Sequence, residues 1–418
     1  MLRAWSRIAW VAVLVAVALG MGGSIPAAFP DTGHFSSAAG PRCPEPAAAD
    51  HAADRLHVSG NRILDGEGHV FTPDGISVFG GLQDGDRGTP SQEALQSSVV
   101  QIEAAGRYWH ANTVRIPVSE GNLFGDDTPG LGYNAAVLAD LCGEVRLARS
   151  EHLAVIITDQ TEFPDWAERN PQQRTIRFWK IVAREYADQP GIMFDPFNEP
   201  RQIYKTAVAR DTHRRTGDLK VDHPWVWRLW QRGGRAAGRT FVGMQQLVDE
   251  IRATGAENVM EIEGPFYADT LASAGQYPIH GRNLTWAIHH PPLLDAQGWT
   301  REFGYLAATR PVEINEWSQY ASSRPECRAN AYVTAPQFLS YAHAHDMGVS
   351  GWSLQPGSLV SESSKALPMN VTNPREPLNP RALASPSRLK RNYACDEDRV
   401  GQGVGQLLLD YFKRYSRR

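Results

Sequence analysis

Short apolar runs recur eight times along this chain, each followed by a stretch with the apolar spacing of a helix, and that alternation leaves few folds open. The runs are Gly75–Phe79, Thr113–Val118, Ala154–Thr158, Ile192–Phe197, Val259–Glu263, Thr285–His289, Val312–Glu316 and Val349–Trp352. Helical patterns cover Gln92–Ala105, Ala135–Arg149, Thr175–Tyr186, Phe241–Ala253, Arg301–Ala308 and Ala335–His345, with Gly403–Tyr415 closing the chain. Strands joined by crossover helices are parallel, and eight such units close an α/β fold into a (β/α)8 TIM barrel. A doubly wound open sheet is the structural alternative. Before the first unit, His57–Phe71 reads as an N-terminal β-hairpin, with Asp65-Gly66 and Glu67-Gly68 as turn residues. Two connections are long: Arg201–Thr240 after strand four, with Trp225, Trp227 and Trp230, and Ser353–Gln402 after strand eight. Both leave strand C-terminal ends, where barrels gather their reacting groups. The three tryptophans suit either a glycan-stacking wall or packing of the loop onto the barrel.

Two strands end in glutamate. Phe194-Asp195-Pro196-Phe197-Asn198-Glu199-Pro200 closes strand four, and Arg310-Pro311-Val312-Glu313-Ile314-Asn315-Glu316-Trp317 closes strand seven. A pair of carboxylates across one barrel mouth is the equipment of glycoside hydrolysis: one gives a proton to the leaving oxygen, the other attacks the anomeric carbon or activates water. Glu261 and Glu263 share parity on strand five, so either is a third active-site acid or a buried ion-pair member. Glu313 has the opposite parity to Glu316 and is expected to point away from it.

Asn-Glu-Pro after an apolar strand, followed about 110 residues later by Pro-Val-x-x-x-Glu-Trp, resembles the motifs of glycoside hydrolase family 5, the cellulase-like retaining enzymes of clan A. The likeness extends over residues 56 to 415 or so: Gly60–Asp65 with Gly68 resembles the family's hairpin, Asn112–Val118 its second strand, and Asn258–Pro265 its fifth. The resemblance implies Glu199 as general acid/base, Glu316 as nucleophile, Asn198 as the group that binds the sugar 2-hydroxyl and Arg115 as a cation beside the nucleophile. It also implies His289 and Trp352 as cleft residues, and Gln160 and Trp317 are further substrate-binding candidates. Three positions depart from the family pattern. Pro291 stands where a tyrosine usually follows strand six, Gln160 where strand three usually carries histidine, and Asp74 near the place of a strand-one arginine. Tyr267 or Tyr320 is the candidate to supply the missing hydroxyl.

The function that follows is retaining hydrolysis of a β-linked polysaccharide or glycoconjugate, with a non-catalytic glycan-binding barrel and a transglycosylase as alternatives. No cofactor and no metal are expected, because two carboxylates suffice. A net charge of −4 gives no reason to expect nucleic acid, and a monomer is expected. Arg3 and Arg7 precede an apolar run from Ile8 to Leu19 and then small residues, the order of a secretory signal over residues 1–30. Export to the periplasm or the exterior is expected, with a retained N-terminal anchor and its membrane contact as the alternative. Residues 31–52 read as a flexible lead-in and 53–418 as one catalytic domain. The four cysteines fit two disulfides, with Cys43–Cys142 and Cys327–Cys395 favoured among three pairings.

Overall fold

The computed structural model describes residues 35–36, 43, 55–83, 90–125, 132–161, 170–187, 189–200, 224–236, 239–289, 295–318, 331–355, 358–360, 379–385, 389 and 403–416. Its centre is a closed barrel of eight parallel strands, each paired to the next in chain order. The strands are β1 (Gly75–Ser77), β2 (Thr113–Val118), β3 (Ala154–Asp159), β4 (Ile192–Asp195), β5 (Met260–Glu263), β6 (Leu284–His289), β7 (Val312–Trp317) and β8 (Val349–Trp352). The open-sheet alternative is excluded by the pairing of β8 back onto β1, Trp352 opposite Ser77.

Crossover helices pack outside. Among them are α1 (Gln92–Arg107), α2 (Ala135–Ser150), α3 (Gln173–Glu185), α4 (Met244–Arg252), α5 (Ala296–Glu302), α6 (Ala331–Ala344) and α7 (Val404–Tyr415). Residues 264–283 between β5 and β6 form turns rather than a helix. The ends of α1 and α2 are set locally: Ser91 and Asn134 each accept a backbone N–H of the first turn, from Ala94 and Ala136. The outward-facing strand residues and the inner faces of the helices make one continuous core, in which Trp179, Trp227, Trp286, Trp299 and Trp317 are fully buried.

The barrel's N-terminal end is plugged. Strands His57–Ser59 and Arg62–Leu64 pair as the expected hairpin, and Ile63 packs on Ile156, Met193 and Val259 with Leu56, Val58 and Phe71 around them. Two side-chain bonds hold the hairpin there. Asn283 accepts the Val58 N–H at 3.0 Å, and Asn61 donates to the Ala307 carbonyl at 2.7 Å.

The 31–52 stretch, expected to be a loose lead-in, is tied at two points. Phe35–Ser36 pairs with Tyr133–Asn134, and Cys43 is disulfide-bonded to Cys142 on α2, closing a loop of 99 residues. The second expected pair, Cys327–Cys395, lies outside the described residues, as do residues 1–30, Pro291 and Tyr320. No helix among the described residues is long and apolar enough to cross a membrane. From the long connection after β4, the helix Pro224–Arg232 lays Trp227 and Trp230 into the core, with Trp230 stacked on Trp286 at 6.0 Å. For these two rings the packing reading holds; Trp225 is half-buried.

Candidate active site

Arg115 organises the mouth. It sits on β2 with its side chain fully buried, a place where a guanidinium needs every donor met. Nη1 donates to Glu316 Oε1 at 2.6 Å. Nη2 donates to Asp195 Oδ2 and to Asn198 Oδ1, each at 2.7 Å, and to Glu263 Oε1 at 3.3 Å. Nε donates to Asp195 Oδ2 at 3.2 Å. Burial works against the charged guanidinium, but Asp195, Glu316 and Glu263 hold its pKa above the ordinary arginine value. Asp195 also accepts a hydrogen bond from the Thr158 hydroxyl on β3.

Glu199 and Glu316 meet across His289. The ring's Nδ1 lies 3.2 Å from Glu199 Oε1 and 3.5 Å from Glu316 Oε2, while Nε2 lies 3.0 Å from Glu263 Oε1. One oxygen of each glutamate and a ring nitrogen stand within 4.8 Å of one another. That spacing would also suit a cation, but Arg115 is already bonded to Glu316 and supplies positive charge there. Glu199 keeps 16% of its side chain exposed, while Glu316 keeps 3%. Burial raises the Glu316 carboxyl, and although His289 and Arg115 pull it back, it stands at about 7.

A bulge in β7 explains how Glu316 faces inward. Against β6, Ala287 pairs with Glu313 and His289 pairs with Glu316, so three steps on one strand match two on the other. Asn315 and Glu316 therefore both face the barrel interior: Asn315 donates to Glu263 Oε1 at 2.8 Å. The parity argument for Glu313 is corrected by the same bulge. Glu313 also faces inward, lower in the barrel, where it accepts the Gly348 N–H at 2.8 Å and senses the charges of Glu261 and Asp74.

The other expected cleft residues divide. Asn198, with its oxygen taken by Arg115, keeps its amide nitrogen as a donor. Gly351 faces α7, where Leu408 leaves no space for a side chain, so its neighbour Trp352 faces inward, edge-on to Phe79 at 5.9 Å. Gln160 is buried just past β3, its N–H on the Val118 carbonyl at 3.0 Å. Trp317 is a correction: alternation resumes after the bulge, so its ring turns outward and stacks on Phe338 of α6 at 6.4 Å. Tyr267 stands on the turn after β5, its N–H on the Pro200 carbonyl. Asp195, Glu263 and Asn315 had no motif to announce them, although the shared parity of Glu261 and Glu263 was a signal for one of the three.

A family model of cellulases, glycosyl hydrolase family 5, matches residues 89–358. The chain belongs to that family. As a family 5 member it is a glycoside hydrolase. It resembles endoglucanase Z of Dickeya dadantii, with 19% identity over 163 residues, 38% of this chain; the match spans 31% of that relative's length. Among solved structures it is similar to a β-glucanase of Saccharophagus degradans in complex with cellotetraose, at 16% identity and a TM-score of 0.54, covering 89% of this chain and 97% of that one. The catalytic domain of a Thermobifida fusca endoglucanase is similar in fold too, at 12% identity and a TM-score of 0.54, covering 86% of this chain and 98% of that one.

Proposed function

We propose that this family 5 enzyme hydrolyses a β-linked glucan by double displacement, with Glu199 as acid/base and Glu316 as nucleophile, and that it works outside the cytoplasm as a monomer. The observation that carries the reading is the separation of the pair: oxygens of Glu199 and Glu316 lie within 4.8 Å. Inverting enzymes hold their carboxyls roughly 6.5–9.5 Å apart to admit a water, and retaining ones hold them at about 5–5.5 Å. In the first step Glu316 attacks the anomeric carbon while Glu199 gives its proton to the departing oxygen, and the glycosidic C–O bond breaks. Water then attacks the same carbon, Glu199 takes its proton, and the ester to Glu316 is released.

Arg115 and His289 favour the ionised form of Glu316, as a nucleophile requires. The Asn198 amide nitrogen is the donor suited to the sugar 2-hydroxyl, and Trp352 offers an apolar face to the ring. For the substrate, the support is the similarity to a β-glucanase with bound cellotetraose and to endoglucanases. For export, it is the Cys43–Cys142 disulfide, a bond that persists in oxidising compartments.

Trapping with a 2-fluoro cellobioside, followed by peptide mapping, is expected to leave a stoichiometric adduct on Glu316. Glu316→Gln is expected to lower turnover by about 10⁴-fold or more while the fold persists. An adduct on another residue, or full turnover by the variant, overturns the assignment.

A further inference from the structure

Glu263 is the most connected carboxylate at the mouth. It is fully buried at the end of β5. Its Oε2 accepts the backbone N–H of Glu199 at 2.5 Å, and its Oε1 accepts from Asn315, His289 Nε2 and Arg115 at 2.8, 3.0 and 3.3 Å. Two of these contacts act on the reacting groups. Glu199 has φ of +50°, a left-handed conformation that is unfavourable for a non-glycine residue, and a carboxylate receiving its N–H helps to hold it there. His289 offers Nε2 to Glu263, which leaves Nδ1 for the catalytic pair. A neutral imidazole carries one N–H, so carboxylates facing both nitrogens are met in full only by the doubly protonated ring.

The turn after β5 reinforces the arrangement. Phe266, Tyr267 and Ala268 have φ of 61°, 64° and 56°, one left-handed turn in succession. Through it the Tyr267 N–H reaches the Pro200 carbonyl at 3.4 Å and the Ala268 carbonyl accepts the His289 N–H at 2.9 Å. Strand five thus holds the neighbour of Glu199 and the backbone of His289 together.

We propose that Glu263 is a positioning residue for the double displacement, holding Glu199 in its left-handed backbone conformation and His289 as a doubly protonated ring whose Nδ1–H serves Glu199 and Glu316 in turn. The proposal rests on the roles given above to those two glutamates. While Glu316 is ionised, Nδ1–H pairs with it. Once Glu316 is esterified and Glu199 has given up its proton, the same N–H turns to Glu199, so the negative charge faces the ring in both states. No proton leaves the ring. The groups facing His289 are Glu263 from β5, Glu316 from β7, Glu199 after β4 and Asp269 from the turn after β5, with Arg115 bonded to Glu263 and Glu316. Burial disfavours the charged ring, yet Glu263 and Glu316 hold its pKa well above the ordinary histidine value. Burial also raises Glu263, but His289 and Arg115 hold it at about 2.

The test is Glu263→Gln, with active sites counted by 2-fluoro glycoside trapping. Expected are a fall in kcat per active site of about 10²-fold or more, little change in KM, and an acidic limb of the kcat/KM profile moved to higher pH, since Glu316 loses the imidazolium beside it. An unchanged kcat per active site with an unmoved limb overturns the proposal, because lost stability alone would lower only the number of active sites. Wild-type protein supplies a second readout if the variant does not fold. With ¹⁵N-labelled histidine at about pH 7.5, a unit above an ordinary histidine, the His289 signals, assigned by their loss in His289→Gln, are expected at imidazolium positions; a neutral ring overturns the proposal. Full turnover by Glu316→Gln would instead overturn the catalytic pair itself.

Discussion

Glu261 and Glu263 lie two residues apart on one strand, face the same side and are fully buried, yet they carry opposite charge states. Glu263 meets an arginine, an imidazole, an amide and a backbone N–H, and stands at about 2. Glu261, one layer deeper, has no donor in good hydrogen-bonding geometry among the described residues, with Asn315 its nearest polar neighbour, and burial raises it to about 8. Nearby, burial raises Asp74 to about 8, and burial followed by the charge of Glu261 puts Glu313 well above its ordinary value. Identical burial thus leaves one carboxyl held low at the mouth and others raised below. The difference lies in the donors each layer provides. Arg115 supplies them for the upper layer, whereas in the lower layer Glu313 accepts only a neutral backbone N–H, that of Gly348.

The comparison breaks most severely at that arginine. Arg115→Met is expected to destabilise the fold by about 3–5 kcal/mol, the range for stripping one partner from a buried ionic network, and to abolish turnover; a variant of near-normal stability and rate would show the upper layer to be held by something else. The floor is expected to respond in stability alone. Ile63→Ala, which empties the centre of the hairpin plug, should cost about 2–4 kcal/mol with kcat per active site unchanged, checked by denaturant unfolding and trapping.

Two further outcomes depend on pH. Glu316 must be ionised to attack, and its carboxyl stands at about 7, so kcat/KM is expected to rise as pH increases through about 7; a plateau extending well into the acid range would contradict that environment. Glu261 gives the smallest effect. Its folded pKa lies above the unfolded value, so its contribution to stability is fully present below about 4.5 and is lost as pH rises through about 8. Glu261→Gln should therefore leave Tm unchanged at low pH and raise it by a few degrees at alkaline pH, roughly 1 kcal/mol or more for a domain of this size. An alkaline Tm equal to that of the wild type would place Glu261 among satisfied groups.

All eight strands were legible because each is a short apolar run, a local property; β2 and β8 have the bounds read from sequence, and the others differ by one or two residues. That Glu199 and Glu316 stand at strand ends was legible because Asn198-Glu199-Pro200 and Glu316-Trp317 are contiguous motifs; the structure brings the two together across His289. What could not be read was the supporting network. Asp195, Glu263 and Asn315 come from three strands and acquire meaning only when closure of the barrel brings the two carboxylates onto Arg115 and the Asn315 amide onto both of them. Glu313 departs from its expected side because parity counting assumes an unbroken pleat, and β7 breaks it between Ile314 and Trp317; Trp317, expected in the cleft from the family resemblance, faces outward as plain alternation from Glu316 requires. The helix expected over Arg301–Ala308 is in fact the last two residues of the helix Ala296–Glu302 followed by a 3-10 turn, Gly304–Ala308, because Phe303 continues the apolar spacing where the backbone turns.

That break in β7 also bears on recombination. Over the four residues Glu313–Glu316 the strand presents three, Glu313, Asn315 and Glu316, to the inner wall, where a regular pleat would present two. A segment grafted from a barrel with an even pleat could keep Glu316 in place and still turn the amide at Asn315 toward the helices, severing its link to Glu263. The safe junctions for exchanging parts of this enzyme therefore lie outside Val312–Trp317, and the strand has to travel as one indivisible piece.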